Sequence, residues 1–76
     1  MPHITLECYP KGLSEQELQA FADDLTAFVG ERLSTPTEYI TIDFKELDEQ
    51  AFKSEIWDKK IVPNREHLLR KPAYQL

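Results

Sequence analysis

The apolar residues of this chain change period twice between His3 and Lys45, and that change dictates how it can fold. Over His3-Ile4-Thr5-Leu6-Glu7-Cys8-Tyr9, apolar and polar side chains alternate. A period of two places successive residues on opposite faces of a pleated strand. Pro10-Lys11-Gly12 is a turn signal. Beyond it the period lengthens: Leu18, Phe21, Ala22, Leu25, Phe28, Val29 and Leu33 recur at spacings of three and four. Such a stripe lines one face of a helix. Ser14 with Glu17 forms a capping box, in which each residue satisfies a free backbone donor of the first turn. The spacing predicts a helix from about Ser14 to Leu33, with Asp23, Asp24, Thr26 and Glu31 turned to water. Ser34-Thr35-Pro36-Thr37 breaks it, and Tyr39-Ile40-Thr41-Ile42-Asp43-Phe44-Lys45 alternates again. The β-branched and aromatic content of that run suits a strand.

Strand, helix, strand in this order is a βαβ unit, with parallel strands and a right-handed crossover. The predicted fold class is α/β (α+β): a βαβ subunit with a parallel two-stranded sheet and a short-helical C-terminal tail. Ile4, Leu6 and Cys8 join Ile40, Ile42 and Phe44 under the helix. His3, Thr5, Glu7 and Tyr9 share the other face with Thr41, Asp43 and Lys45. In the tail, Leu47-Asp48-Glu49-Gln50 reads as a turn or a helix start. Phe52, Ile56, Trp57 and Ile61 suggest a short helix that Pro63 ends or kinks. Leu68 and Leu69 suggest another, stopped near Lys71-Pro72. Lys59, Lys60, Arg65, Arg70 and Lys71 stand against Glu66 alone between positions 59 and 71. Such a stretch is either a solvated face or a source of cations for an anionic ligand.

Seventy-six residues make one domain, spanning 1–76. A chain this short buries only about 60% of its unfolded surface. Disulfides, a metal or oligomerisation normally supply what is missing. Cys8 is the single cysteine, so no internal disulfide forms, and its place beside Ile4 and Leu6 reads as a core thiol rather than a nucleophile. Cys8, His3 and His67 lack the spacing of a metal site. Oligomerisation remains. A two-stranded sheet is not stable alone, and its open edges invite pairing. Two copies joined edge to edge give a four-stranded sheet across an isologous homodimer.

Fourteen acidic residues against nine basic ones leave a net charge of -5, which argues against a nucleic-acid partner. No stretch approaches the ~18 apolar residues of a membrane span. The first residues lack the basic start and apolar core of a signal peptide. The expectation is a cytoplasmic protein acting on a small molecule, with no nucleic-acid or membrane partner.

The chemistry points to Pro2. Methionine aminopeptidases generally remove Met before Pro, which would leave a free prolyl nitrogen at the chain's start. No other standard residue supplies a secondary amine there. Its lone pair can take a proton or attack a carbonyl. Termini usually fray, but one that leads straight into a strand is held, and a held amine can serve a site.

Pro2 heading a strand, the turn at Lys11-Gly12, the helix opening Ser14-Glu15-Gln16 and Pro36 before the second strand together resemble the 4-oxalocrotonate tautomerase family. The tail, with Ile56-Trp57-Asp58, Ile61-Val62-Pro63 and Leu69-Arg70-Lys71-Pro72-Ala73-Tyr74, resembles its dimeric bacterial branch, whose chains are longer. The resemblance implies a βαβ subunit, an amino-terminal proline as general base, a small enol or 2-keto acid as substrate, and no cofactor. It implies proton movement between oxygen and carbon through a dienol or enolate. A general base works best with a pKa near ambient pH. An apolar pocket and nearby cations both lower that of an amine, and Trp57 and Phe52 are the candidate apolar wall.

The chain also departs from the pattern. Many members carry an arginine in the turn after the first strand and another on the second strand. Here those places hold Gly12, next to Lys11, and about Thr41. Lysine keeps the charge but loses the two-pronged grip of arginine on a carboxylate. Lys11, or Arg70 from the tail, is the candidate cation. Decarboxylation or dehalogenation on the same scaffold, or a non-catalytic dimeric binding module, stays open as an alternative.

Overall fold

The computed structural model describes all residues from Met1 to Leu76. Strand β1 (His3–Cys8) leads to helix α1 (Glu15–Arg32), strand β2 (Thr41–Glu46) and the single turn α2 (Glu49–Ala51). A π-helix (Phe52–Ile61) continues α2, and short 3-10 turns lie at Thr37–Tyr39 and Arg65–His67. The chain divides into two compact units, Met1–Leu6 with Lys11–Lys45 and Glu7–Pro10 with Glu46–Leu76.

The two strands pair as one sheet. Thr41 N–H donates to Pro2 O at 3.2 Å, and Leu47 N–H to Cys8 O at 2.8 Å. The sequence offset is the same at both ends of the ladder, so the strands run parallel, as the βαβ pattern requires.

In the first unit the capping box forms as the sequence predicts. Ser14 Oγ accepts from Glu17 N–H at 3.1 Å, and Glu17 Oε1 accepts from Ser14 N–H at 3.0 Å. The bond from the Ser14 backbone N–H, and after it the Ser14 hydroxyl, lowers the pKa of the Glu17 carboxyl. Leu33 closes the helix, donating to Val29 O at 2.9 Å. Leu18, Ala22, Leu25 and Val29 are half-buried. Ile42 and Phe44 line one groove with Leu18, Phe21 and Ala22, so β2 does present these two residues to the helix. Phe21 meets Phe44 edge-on at 6.2 Å.

The helix face differs from the predicted stripe in three ways. Phe28 and Leu33 are 55% and 59% exposed, and Phe28 instead carries the Arg32 guanidinium over its ring at 4.8 Å. Thr26 is half-buried rather than in water, because its hydroxyl donates to Ala22 O at 2.7 Å within the helix. Gly30 is buried, although it belongs to no apolar stripe. The chain folds back against it, with Thr35 N–H donating to Gly30 O at 2.9 Å.

β2 starts at Thr41, not Tyr39. Tyr39 N–H and Ile40 N–H donate to Pro36 O and Thr37 O, both at 3.1 Å. Donors committed to a 3-10 turn are not available to a sheet ladder.

In the second unit Asp48 caps α2, its Oδ1 accepting from Ala51 N–H at 2.7 Å. The predicted helix through Phe52, Ile56, Trp57 and Ile61 forms, but wound more widely. Val62 N–H reaches Trp57 O at 2.9 Å, the i→i−5 bond of a π-helix. Lys53 and Asp58, also five apart, pair at 3.2 Å. Pro63 follows the last turn and, having no N–H to donate back to the helix carbonyls, cannot continue it. Ile56 and Trp57, 7% and 4% exposed, are the buried hydrophobic residues of the whole chain. The helix expected at Leu68-Leu69 is absent. A single turn at Arg65–His67 precedes them, Leu68 is half-buried, and Leu69 is fully exposed. Cys8, predicted as a core thiol, is half-buried and free.

Candidate functional site

The first unit positions the amino-terminal residue. Pro2 is half-buried at the head of β1. Its carbonyl accepts from Thr41 N–H, and the next side chain returns to the same residue, with His3 Nδ1 2.6 Å from Thr41 Oγ1. Met1 is 96% exposed, whereas Pro2 is half-buried against the strand. While Met1 is attached, the Pro2 nitrogen is a tertiary amide without a basic lone pair. Lys11 is exposed and precedes Gly12, whose φ of 68° lies in the left-handed region that glycine enters freely. Pro2 and Lys11 flank β1 at opposite ends. Six residues at about 3.3 Å each set those ends roughly 20 Å apart.

The second unit holds Trp57, Phe52 and Arg70, and Tyr74 joins their surroundings. The Tyr74 ring lies 5.2 Å from that of Trp57, tilted by 36°. Tyr74 also lines a cavity of about 260 Å³ with Tyr9, Phe52 and Leu76. There Tyr9 meets Phe52 edge-on at 5.2 Å. A second cavity, of about 690 Å³, is lined by Ile61, Leu68, Arg70, Lys71, Pro72, Ala73 and again Tyr74. Two cations and no carboxylate face that space, so its potential favours an anion. Of the other tail cations, Lys59 pairs with Glu55 at 2.9 Å. Lys60 grips both carboxylate oxygens of Glu7, at 2.8 and 3.1 Å. Those two are held by the protein's own carboxylates, whereas Arg70 and Lys71 line the cavity that holds no carboxylate.

Charge and apolar character single out Arg70, Trp57 and Phe52 one by one, and Tyr74 stands out only as part of the family-like run that ends at Pro72-Ala73-Tyr74. No periodicity marks Tyr74, because nothing regular surrounds it. No group of three or more His, Cys, Asp or Glu side chains is placed to hold a metal ion. No helix is long and apolar enough to cross a membrane.

A parallel βαβ unit led by a proline anchored at its strand, with a helical C-terminal extension, defines the class of small tautomerase subunits. The comparisons agree. The chain is 37% identical to tautomerase PptA of Cronobacter sakazakii over 76 residues, the whole of both chains. It is 34% identical, again over the full length of both, to tautomerase PptA of Escherichia coli O127:H6 and of Escherichia coli O157:H7. No family model matches the chain. On these relatives the chain belongs to the 4-oxalocrotonate tautomerase family that its sequence resembles. It is, in that general sense, a tautomerase and so an isomerase.

Proposed function

We propose that the chain, once Met1 is removed, is a keto–enol tautomerase whose general base is the Pro2 amine and whose substrate is a small enol or 2-keto acid. One observation carries the reading: Pro2 is held at the strand head, its carbonyl bound by Thr41, so an amine released there belongs to a residue anchored to the sheet. In the forward direction the nitrogen takes the enol hydroxyl proton. The O–H electron pair forms the carbonyl, the C=C pair takes a proton at carbon, and the amine is returned to its starting state. The net change is movement of one proton, with no oxidant and no cofactor.

Arg70 is the cation assigned to the substrate carboxylate, since it faces a cavity free of carboxylates. Its planar fork suits that group better than an ammonium does. Lys11 stands at the other end of β1 from Pro2, so it is not assigned to a substrate at the Pro2 of its own chain. Trp57 and Phe52 are assigned as apolar surfaces that favour the neutral amine. The protein is further proposed to be a homodimer. Only two hydrophobic side chains are buried within the chain, while Phe28, Leu33, Tyr39 and Val62 are about half exposed, and a core so small favours burial between subunits.

The test compares the processed and Met1-retaining forms, each verified by intact mass, in the ketonisation of phenylenolpyruvate-type and 2-hydroxydienoate compounds. Processed protein should be active, with kcat/KM rising with pH as the prolinium loses its proton. Pro2→Ala should reduce activity substantially while the fold survives. A charge-assisted hydrogen bond is worth roughly 1.5–3 kcal/mol, so Arg70→Ala should lower kcat/KM about tenfold to a hundredfold. Full activity in protein proven to retain Met1 would exclude Pro2 as the base, and absence of activity in both forms would favour the binding-module alternative.

A further inference from the structure

A base at the very end of a chain has a mechanical problem. Pro2 has no backbone N–H to donate, and the nitrogen itself must remain free for its chemistry. Its remaining backbone anchor is the carbonyl, bound by Thr41 N–H at 3.2 Å, at the long end of the range for such bonds. A residue tied only through its carbonyl can still swing about the bonds between that tie and the nitrogen.

The neighbouring side chains supply a second tie. His3 Nδ1 lies 2.6 Å from Thr41 Oγ1 across the two strands, a short contact for a hydrogen bond between side chains. Thr41 therefore holds Pro2 through its backbone and His3 through its hydroxyl. It is itself stiff, because a β-branched side chain has few open rotamers. The hydroxyl can donate to a bare Nδ1 or accept from a protonated one, so the pair is compatible with either state of the imidazole.

We infer that the His3–Thr41 pair is a clamp that fixes the orientation of the amino-terminal proline, and that Thr41 is a positioning residue for the tautomerase reaction. The inference rests on the proposal that Pro2 is the base. Thr41 touches no reacting atom. Its contribution is to raise the fraction of time that the proline nitrogen spends in a productive position. A misplaced reacting group costs rate even when binding is intact, so loss of the clamp should appear in kcat rather than KM.

The experiment uses the processed full-length protein carrying labelled proline. It follows the motion of Pro2 by nuclear magnetic relaxation, together with kcat, KM and the thermal midpoint. Thr41→Val keeps the backbone donor and the β-branched shape but removes the hydroxyl. It should make Pro2 more mobile and lower kcat about tenfold, with KM within roughly twofold of the native value. Thr41→Ser retains the hydroxyl and should restore most of the rate. His3→Ala should reproduce the Thr41→Val loss, and the double variant should add little to either, because the two side chains act as one unit. Unchanged Pro2 mobility in both Thr41→Val and His3→Ala would overturn the clamp. Greater mobility with unchanged kcat, or losses that multiply in the double variant, would overturn the positioning role. Failure of the base proposal itself is read separately, from activity in native protein that retains Met1.

Discussion

Replacing Gly30 with alanine should destabilise this protein, although the same change in an ordinary helix stabilises it. Alanine is better than glycine in a helix interior by about 1 kcal/mol. At Gly30 the added methyl would stand 3.0 Å from Thr35 O, 3.2 Å from Thr37 Cγ2 and 3.4 Å from Ile40 Cδ1. The nearest of these is backbone, and it cannot retreat freely. Thr35 is bonded to Gly30 O through its own N–H at 2.9 Å, and Ser34 already sits at a φ of 51°, where a side chain is strained. Overpacking of this kind costs roughly 1–3 kcal/mol. Set against the helix gain, the net loss should be about 1 kcal/mol. In a domain of this size that corresponds to a fall in the unfolding midpoint of roughly 4–8 °C. The assay is thermal unfolding at matched protein concentration, with Gly12 as the comparison. No heavy atom lies within 4 Å of a Cβ built there, but its φ is +68°. Gly12→Asn should therefore be tolerated better than Gly12→Ala, since asparagine enters the left-handed region more readily. Gly30→Asn, by contrast, should be worse than Gly30→Ala because it adds more atoms to a filled space. A rise in midpoint for Gly30→Ala would refute the close-approach argument. The segment in question leads directly into Thr41, so Gly30→Ala should also lower kcat through the residue that holds Pro2.

Glu17 and Trp57 provide two further tests. The Ser14 backbone N–H, and then the Ser14 hydroxyl, hold the Glu17 carboxyl below its usual pKa of 4.5, so its contribution to stability is present above that value and is lost as the pH falls through the lower, folded-state value. Ser14→Ala should lower the midpoint at neutral pH by roughly 4 °C or more while keeping the backbone donor on Glu17; Glu17→Gln, which removes the titrating carboxyl, should flatten the acid limb, and an acid limb unchanged from native in Glu17→Gln would disprove the coupling. Trp57→Ala should cost about 3–5 kcal/mol of a total near 4–11 kcal/mol for a chain this long, leaving much of the protein unfolded in urea titrations, whereas Trp57→Phe should remain folded; an alanine variant of near-native stability would mean that Trp57 is not the centre of the second unit's core.

What could be read from the sequence, and what could not, divides by the range of the interaction involved. The capping box at Ser14 and Glu17 and the alternation of β1 are local patterns that formed where the spacing placed them, and Gly12 takes the left-handed φ of 68° in the connection between β1 and α1. The start of β2 was misplaced because Tyr39 and Ile40 alternate well enough for a strand, yet their backbone donors bond back to Pro36 and Thr37. The tail helix was legible, but its winding was not. Phe52 to Trp57 and Ile56 to Ile61 are both five-residue steps, a spacing that fits i→i−5 turns as well as it fits a loose α-helical stripe. Gly30 went unnoticed because the reason for it is the Thr35 carbonyl lying against it, and a missing side chain leaves no mark on an apolar pattern.

The candidate site shows the same division at greater range. Pro2 was legible because its chemistry belongs to one residue and its anchoring to the strand that follows it. Arg70, Phe52 and Trp57 could be chosen by charge and apolar character, but Tyr74 links their surroundings through contacts with residues distant in sequence. Thr41 is the sharper case. Thr41 stands about where the family resemblance leads one to expect an arginine, and residue types alone record a missing cation. The structure shows what stands in its place: a backbone donor on Pro2 O and a hydroxyl on the His3 ring. A substitution that weakens carboxylate binding on the second strand can thus coincide with firmer placement of the base. If both effects operate, Thr41→Arg should tighten KM for an anionic substrate and lower kcat, and a gain in both would show that the clamp contributes nothing to the rate.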